Sequence, residues 1–164
     1  LKLEENYFDD KVRLGNSILR PIHYFPLTDE VVEPDAVRAA AHGDINLITL
    51  LMGASAAGLE ILSKNNTWVP VTALPGQLVV NVGDMLERLT NKRLRSTIHR
   101  VVNPDGADLS TSRYSIPFFM HPKSDMDLTC LDSCIDGENP KEFQDITAGE
   151  FLEQRLIEIG LKPG

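Results

Sequence analysis

A chain of 164 residues with 42% hydrophobic content is long enough to bury one substantial core, so a single domain is expected. Its formal net charge of −8 would repel a phosphate backbone, which argues against a nucleic-acid partner. Two cysteines, Cys130 and Cys134, are too few for a disulfide scaffold and lack C-x-x-C spacing. No apolar run reaches transmembrane length and no basic-then-apolar leader is present, so a soluble, cytoplasmic protein with free thiols and no membrane partner is expected. Leu1 is not an initiator methionine, so the start is expected to lie inside a longer gene product.

In chain order, Leu3, Tyr7 and Phe8 recur at near-helical spacing and predict a short amphipathic helix within residues 1–10. Residues 17–24 alternate as a strand, with Pro21 marking an edge or a bulge. A polar connection follows, and residues 34–40 are expected to make one helical turn. Ala41-His42-Gly43-Asp44 then leads into the apolar, β-branched run that ends at Leu51. Residues 59–62 and 68–71 predict a hairpin around Lys64-Asn65-Asn66, and Pro75-Gly76 predicts a further turn. Residues 77–82 are almost wholly apolar, which predicts a strand buried on both faces. Asp84 should cap a short helix through Leu89, with Glu87 at the reciprocal capping position.

Lys92, Arg93 and Arg95 form a basic run that reads as a solvated loop, with attraction of an anionic substrate toward His99 as the other reading. Asn103-Pro104-Asp105-Gly106 turns that strand into a return strand over residues 111–120. Trp68 and Phe118 are expected in the core, and His23 and His121 are ordinary strand-end or loop histidines. Residues 130–139 predict a loop, and residues 150–159 a helix that stops at Gly160. Many short strands separated by turns, with little helix, mean a sandwich or barrel.

If the run from Ala41 is extended, His42 and Asp44 project from one face, because strand side chains repeat every two residues. One imidazole and one carboxylate are two-thirds of the facial site that non-haem Fe(II) oxygenases use, and His99 is the candidate third ligand. The residues alone also allow a chance H-x-D beside an ordinary strand histidine. A hairpin centred on Gly106 would set Arg113 opposite His99, with Ser115 on the same face. A guanidinium fork plus a hydroxyl is a receptor for a carboxylate; a solvated strand arginine is the other reading.

Taken together, His42-Gly43-Asp44, Thr49-Leu50-Leu51, Asn81-Val82-Gly83-Asp84, Thr90-Asn91, Ser96-Thr97-Ile98-His99-Arg100-Val101 and Arg113-Tyr114-Ser115 resemble one family. It is the isopenicillin N synthase and flavonol synthase branch of the Fe(II)/2-oxoglutarate dioxygenases. The likeness runs from about Leu19 to the closing helix segment Ile146-Thr147-Ala148-Gly149-Glu150-Phe151-Leu152. The resemblance implies a mainly β, double-stranded β-helix of jelly-roll, cupin-like type with short flanking helices and a C-terminal helix. It implies Fe(II) on His42, Asp44 and His99, with 2-oxoglutarate held by Arg113, Ser115 and Tyr24.

The implied reaction couples decarboxylation of 2-oxoglutarate to O2-dependent hydroxylation or desaturation of a small molecule, with ascorbate as a candidate reductant. An oxidase that uses the iron without 2-oxoglutarate, or an inactive cupin-like binding module, is the alternative. Ile22 stands where many members have asparagine and Gly43 replaces the usual threonine, departures from the plant pattern that give the chain a bacterial look. Residues 1–164 are then one catalytic domain that lacks the family's N-terminal portion.

Overall fold

Short β-branched and aromatic runs cannot bury themselves singly, and the computed structural model collects them into two antiparallel sheets. It describes residues 1–27, 36–53, 57–74, 76–103 and 110–163. In order these form α1 (Asp9–Val12), β1 (Ile18–Leu19), β2 (Ile22–Tyr24), β3 (Val37–His42), β4 (Ile48–Met52), β5 (Leu59–Leu62) and β6 (Trp68–Pro70). Then come β7 (Leu78–Val82), α2 (Asp84–Leu89), β8 (His99–Val102), β9 (Arg113–Met120), a 3-10 turn (Asp132–Cys134) and α3 (Ala148–Glu158). The five-stranded sheet runs β1-β9-β4-β7 with β2 also paired to β9, and the four-stranded sheet runs β3-β8-β5-β6.

The expected strand over 17–24 is split in two. Pro21 has no N–H for the ladder, although the Arg20 amide still bonds the Pro117 carbonyl at 3.0 Å. The β5–β6 hairpin forms with Ile61 opposite Val69, and Asn66 takes a left-handed φ of 56° at its tip. The turn at Pro75 and the turn over residues 104–109 lie outside the described residues.

Several expectations are corrected. Residues 41–51 are not one strand: β3 ends at His42, the chain crosses between sheets, and β4 starts at Ile48. The crossing is fixed by local polar groups, since the side-chain amide of Asn46 bonds the Thr49 hydroxyl and the Asp44 carbonyl accepts from the Asp84 amide. Residues 37–40 are strand rather than helical turn, because the ladder to β8 overrides the helix preference of the alanine run. β7 is not buried on both faces: it is the edge of its sheet, and Leu78 and Val80 are 54% and 57% exposed. Gly83, not Asp84, caps α2; the carbonyls of Asp44, Ile45 and Asn46 take its first amides, and the Glu87 carboxylate accepts from the Ser96 amide instead of closing a capping box.

The largest correction concerns β8 and β9. They are not a hairpin, because β8 pairs with β3 and β5 while β9 pairs with β1, β2 and β4 in the other sheet. His99 therefore faces His42 and Ile61, and Arg113 faces Tyr24.

Side-chain alternation gives the five-stranded sheet two unlike faces. Thr49, Leu51, Val79, Asn81, Pro117 and Phe119 line a cavity between the sheets. The opposite face carries Leu50 between Val80 and Phe118, and Met52 between Leu78 and Ile116, a wholly apolar surface. Phe118 is thus half-buried on the outer face, and Trp68 lies under the Arg100 guanidinium, 4.1 Å from its ring centre; neither is a core aromatic. The close-packed core sits to one side of the sheets: Leu47, Met85, Leu86, Leu89, Met126, Leu128 and Ala148 interlock there, with Tyr7, Phe8 and Val12 against them. The N-terminal helix is only the short α1, which follows Tyr7 and Phe8. α3 begins earlier than expected, at Ala148, through a capping box between Thr147 and Glu150, and Gly160 follows it with φ 75°. Cys130 and Cys134 are free, buried thiols.

Candidate metal centre and cavity

His42 is the last residue of β3, His99 the first of β8, and the two are register partners. Antiparallel pairing thereby brings together two imidazoles from distant segments, with ring centres 4.4 Å apart. Asp44, 6% exposed, turns back from the crossing so that its Oδ1 lies 3.9 Å from His42 Nε2 and 3.7 Å from His99 Nε2. The three ligand atoms fall within 4.8 Å of one another.

The surrounding hydrogen bonds decide what those atoms offer. His42 Nδ1 lies 2.7 Å from the Ala40 carbonyl, and His99 Nδ1 lies 2.9 Å from the Thr97 carbonyl. A carbonyl only accepts, so both Nδ1 atoms carry the proton and both Nε2 lone pairs face the common centre. Asp44 Oδ2 accepts from the Thr49 hydroxyl at 2.5 Å and from the Asn81 amide at 2.9 Å, which leaves Oδ1 for the same centre. Two neutral imidazole nitrogens and one carboxylate oxygen, each oriented by an outer partner, are the donor set of a facial site for Fe(II).

Thr49 and Asn81 had a signal in the sequence: each is the lone polar residue inside an apolar strand. Their work became visible only once β4 and β7 were paired, with Thr49 opposite Asn81. Gly43, between the ligands, turns its open side away from the centre. A Cβ there would meet Ser96 Oγ at 2.9 Å and Asp84 Oδ1 at 3.0 Å, so the larger residue usual in the family would press on both.

The cavity holds about 370 Å³. Tyr24 and Ile22 line it together with the triad, Arg20 and Arg38. Arg113, 1% exposed, is the register partner of Tyr24, and Ser115, 6% exposed, is that of Ile22. The Arg113 guanidinium carbon is 4.9 Å from the Tyr24 ring centre, and its Nε donates to the Ala57 carbonyl at 3.1 Å. Burial pulls the Arg113 pKa below the usual arginine value; the Tyr24 phenol opposes that shift and the neighbouring Arg38 adds to it. Among the described residues His23 and His121 stand outside the triad: His23 stacks on Tyr114, and His121 is buried, which lowers its pKa against the opposing charge of Asp44. Of the basic run, Lys92 pairs with Glu142 and Arg93 with Asp136, so neither is a free attractor for anions.

The model of the 2OG-Fe(II) oxygenase superfamily matches residues 16–122. The chain belongs to the 2OG-Fe(II) oxygenase superfamily. Its fold is accordingly the double-stranded β-helix, here cut into the two sheets described above. Among solved structures it is similar to a 2OG-Fe(II) oxygenase family protein from Caulobacter crescentus, at 51% identity and TM-score 0.88, covering 96% of this chain and 50% of that one. It is also similar to a full-length Neurospora crassa protein solved in complex with alpha-KG and thymine, at 36% identity and TM-score 0.87, covering 96% of this chain and 48% of that one. Among curated proteins it is 37% identical to the 2-oxoglutarate-Fe(II) type oxidoreductase hxnY of Emericella nidulans, over 93% of this chain and 43% of that protein. The chain thus spans about half the length of the relatives it matches. No helix among the described residues of this oxygenase chain is long and apolar enough to cross a membrane.

Proposed function

We propose that the protein couples decarboxylation of 2-oxoglutarate to O2-dependent hydroxylation or desaturation of a small organic substrate, with Fe(II) on His42, Asp44 and His99. The observation that carries this reading is the convergence of His42 Nε2, His99 Nε2 and Asp44 Oδ1 while every other polar atom of those side chains is engaged. When bound, iron with 2-oxoglutarate supplies the oxidising power for a C–H bond. The chain's part is geometry. Strand pairing fixes both imidazoles, Thr49 and Asn81 fix the carboxylate, and apolar walls keep water from the reacting carbon. Arg113 and Ser115, with Tyr24, hold the far carboxylate of 2-oxoglutarate, a clamp that neither an oxidase working without it nor a plain binding module needs.

Residues 1–164 form the catalytic domain, and an N-terminal portion in the whole protein covers the apolar outer face of the five-stranded sheet. Buried, free Cys130 and Cys134 suit a reducing, cytoplasmic setting. The test is anaerobic titration of the whole protein. One Fe(II) should bind, and His42→Ala, Asp44→Ala or His99→Ala should each abolish that site. Addition of 2-oxoglutarate and then O2 should yield succinate. Iron binding that survives all three substitutions, or iron binding without succinate, overturns the reading.

A further inference from the structure

Resting on that reading, we infer that the primary substrate is an organic anion with an apolar body, and that Arg20 receives its charged group. The cavity wall is mostly aliphatic and aromatic, with Leu51, Ile61, Val79 and Phe119 among its residues. Of its polar groups, the triad is committed to metal, and Thr49 and Asn81 are spent on Asp44. The Tyr24 phenol goes to the co-substrate and the Thr97 hydroxyl is neutral, so Arg20 and Arg38 are the remaining charged groups. Among the described residues neither makes an ion pair. Both face the cavity of a chain whose net charge is −8.

Charge counting shows why co-substrate alone does not satisfy them. Fe(II) and Arg113 together match the charges of Asp44 and the two carboxylates of 2-oxoglutarate, so the loaded centre is neutral. Arg38 and Arg20 are then surplus.

Their positions separate their roles. Arg38 sits at the co-substrate end, its guanidinium carbon 5.8 Å from the Tyr24 ring centre and its Nη2 3.5 Å from the Phe25 carbonyl. Arg20 lies in the inward row that continues through Ile22 to Tyr24. Four residues of extended chain place it about 13 Å along from Tyr24, too far for one carboxylate to engage both. Arg20 is also exposed, so its charge keeps its water until a substrate covers it. A ligand that fills the apolar wall and brings an anionic group to Arg20 gains hydrophobic burial and a charge-assisted hydrogen bond together.

The experiment uses matched acids and amides of equal shape: phenylacetate with phenylacetamide, and octanoate with octanamide. Each is titrated calorimetrically into the whole protein loaded with Fe(II) and 2-oxoglutarate without oxygen. In at least one pair the acid should bind at least about tenfold more tightly than the amide, the factor expected for one charge-assisted bond. Arg20→Gln should reduce that ratio to about one, while Arg20→Lys retains part of it and 2-oxoglutarate affinity stays within about twofold. Equal binding of acid and amide by the wild type, no binding of any acid, or an Arg20→Gln variant that keeps its preference overturns the inference. Loss of 2-oxoglutarate binding in Arg20→Gln also overturns it, because Arg20 would then serve the co-substrate. The co-substrate titration keeps the two readings apart: if 2-oxoglutarate itself fails to bind the wild type, the proposed function falls.

Discussion

Asp44 depends on two neighbours, because one of its oxygens can face the metal only while the other is held by Thr49 and Asn81. Thr49→Val keeps the shape of the side chain and removes the donor, and Asn81→Leu does much the same on the facing strand. Each should weaken Fe(II) binding about tenfold to a hundredfold without unfolding the protein, as read by anaerobic titration and far-UV circular dichroism. An unchanged affinity in both would show that Asp44 is held by its backbone alone. Arg113 offers a second test. Arg113→Lys keeps the charge and loses the planar fork, so 2-oxoglutarate should bind about ten- to a hundredfold more weakly with iron affinity intact, measured by calorimetry on the Fe(II) protein. At this scale the sequence was most readable: His42, Asp44 and His99 were selectable by type and spacing, and the fold brings them together. Arg20 and Arg38 were not selectable, since nothing local distinguishes a cavity arginine from a surface one.

Elements were legible where their signal is local. The β5–β6 hairpin and α3 follow from their turn and capping residues, which act within a few positions. The pairing of β8 with β3 was not legible, because the hairpin assumption took the nearest strand in sequence while the fold sends β8 and β9 to opposite sheets. Side-chain alternation alone also failed at residues 43–47, where Asp44 and Asn46 bond side chains and break the strand. The cap of α3 yields a measurable expectation. Thr147→Ala removes a side chain that accepts the Glu150 amide, and should cost about 1 kcal/mol in denaturant unfolding. Hydrogen bonds from Thr147, its backbone amide first, hold the Glu150 carboxyl below its ordinary value of 4.5. A depressed carboxyl stabilises the fold above its unfolded pKa and loses that contribution as pH falls through the folded value. Stability measured from pH 6 down to pH 3 should therefore decline less steeply in Thr147→Ala than in the wild type.

On the scale of the molecule, the five-stranded sheet has one face that lines the cavity and one that is apolar and exposed. Met52, Leu78 and Val80, each more than half exposed, sit on its outer face beside an edge strand. Expressed alone, residues 1–164 should self-associate through that face, and Val80→Lys should shift the protein toward monomer in analytical ultracentrifugation. If an N-terminal portion covers this face as proposed, Val80→Lys in the whole protein should leave its association state unchanged; a monomeric wild-type 1–164 would remove the argument for a cover.

The meeting of His42 with His99 has a mechanical side as well. The β3–β8 ladder slips register between Val37 and Ala39 and again between Ala39 and His42, so it is the poorly zipped seam of the four-stranded sheet. Iron on both imidazoles, as proposed, would be a clasp at the end of that seam, fastening strands whose ladder is interrupted by register shifts. Metal at a hundred times its dissociation constant adds about 2.7 kcal/mol to the folded state. The empty protein should therefore breathe between β3 and β8 at the mouth of the cavity, and iron held there as proposed would also keep these two strands from parting.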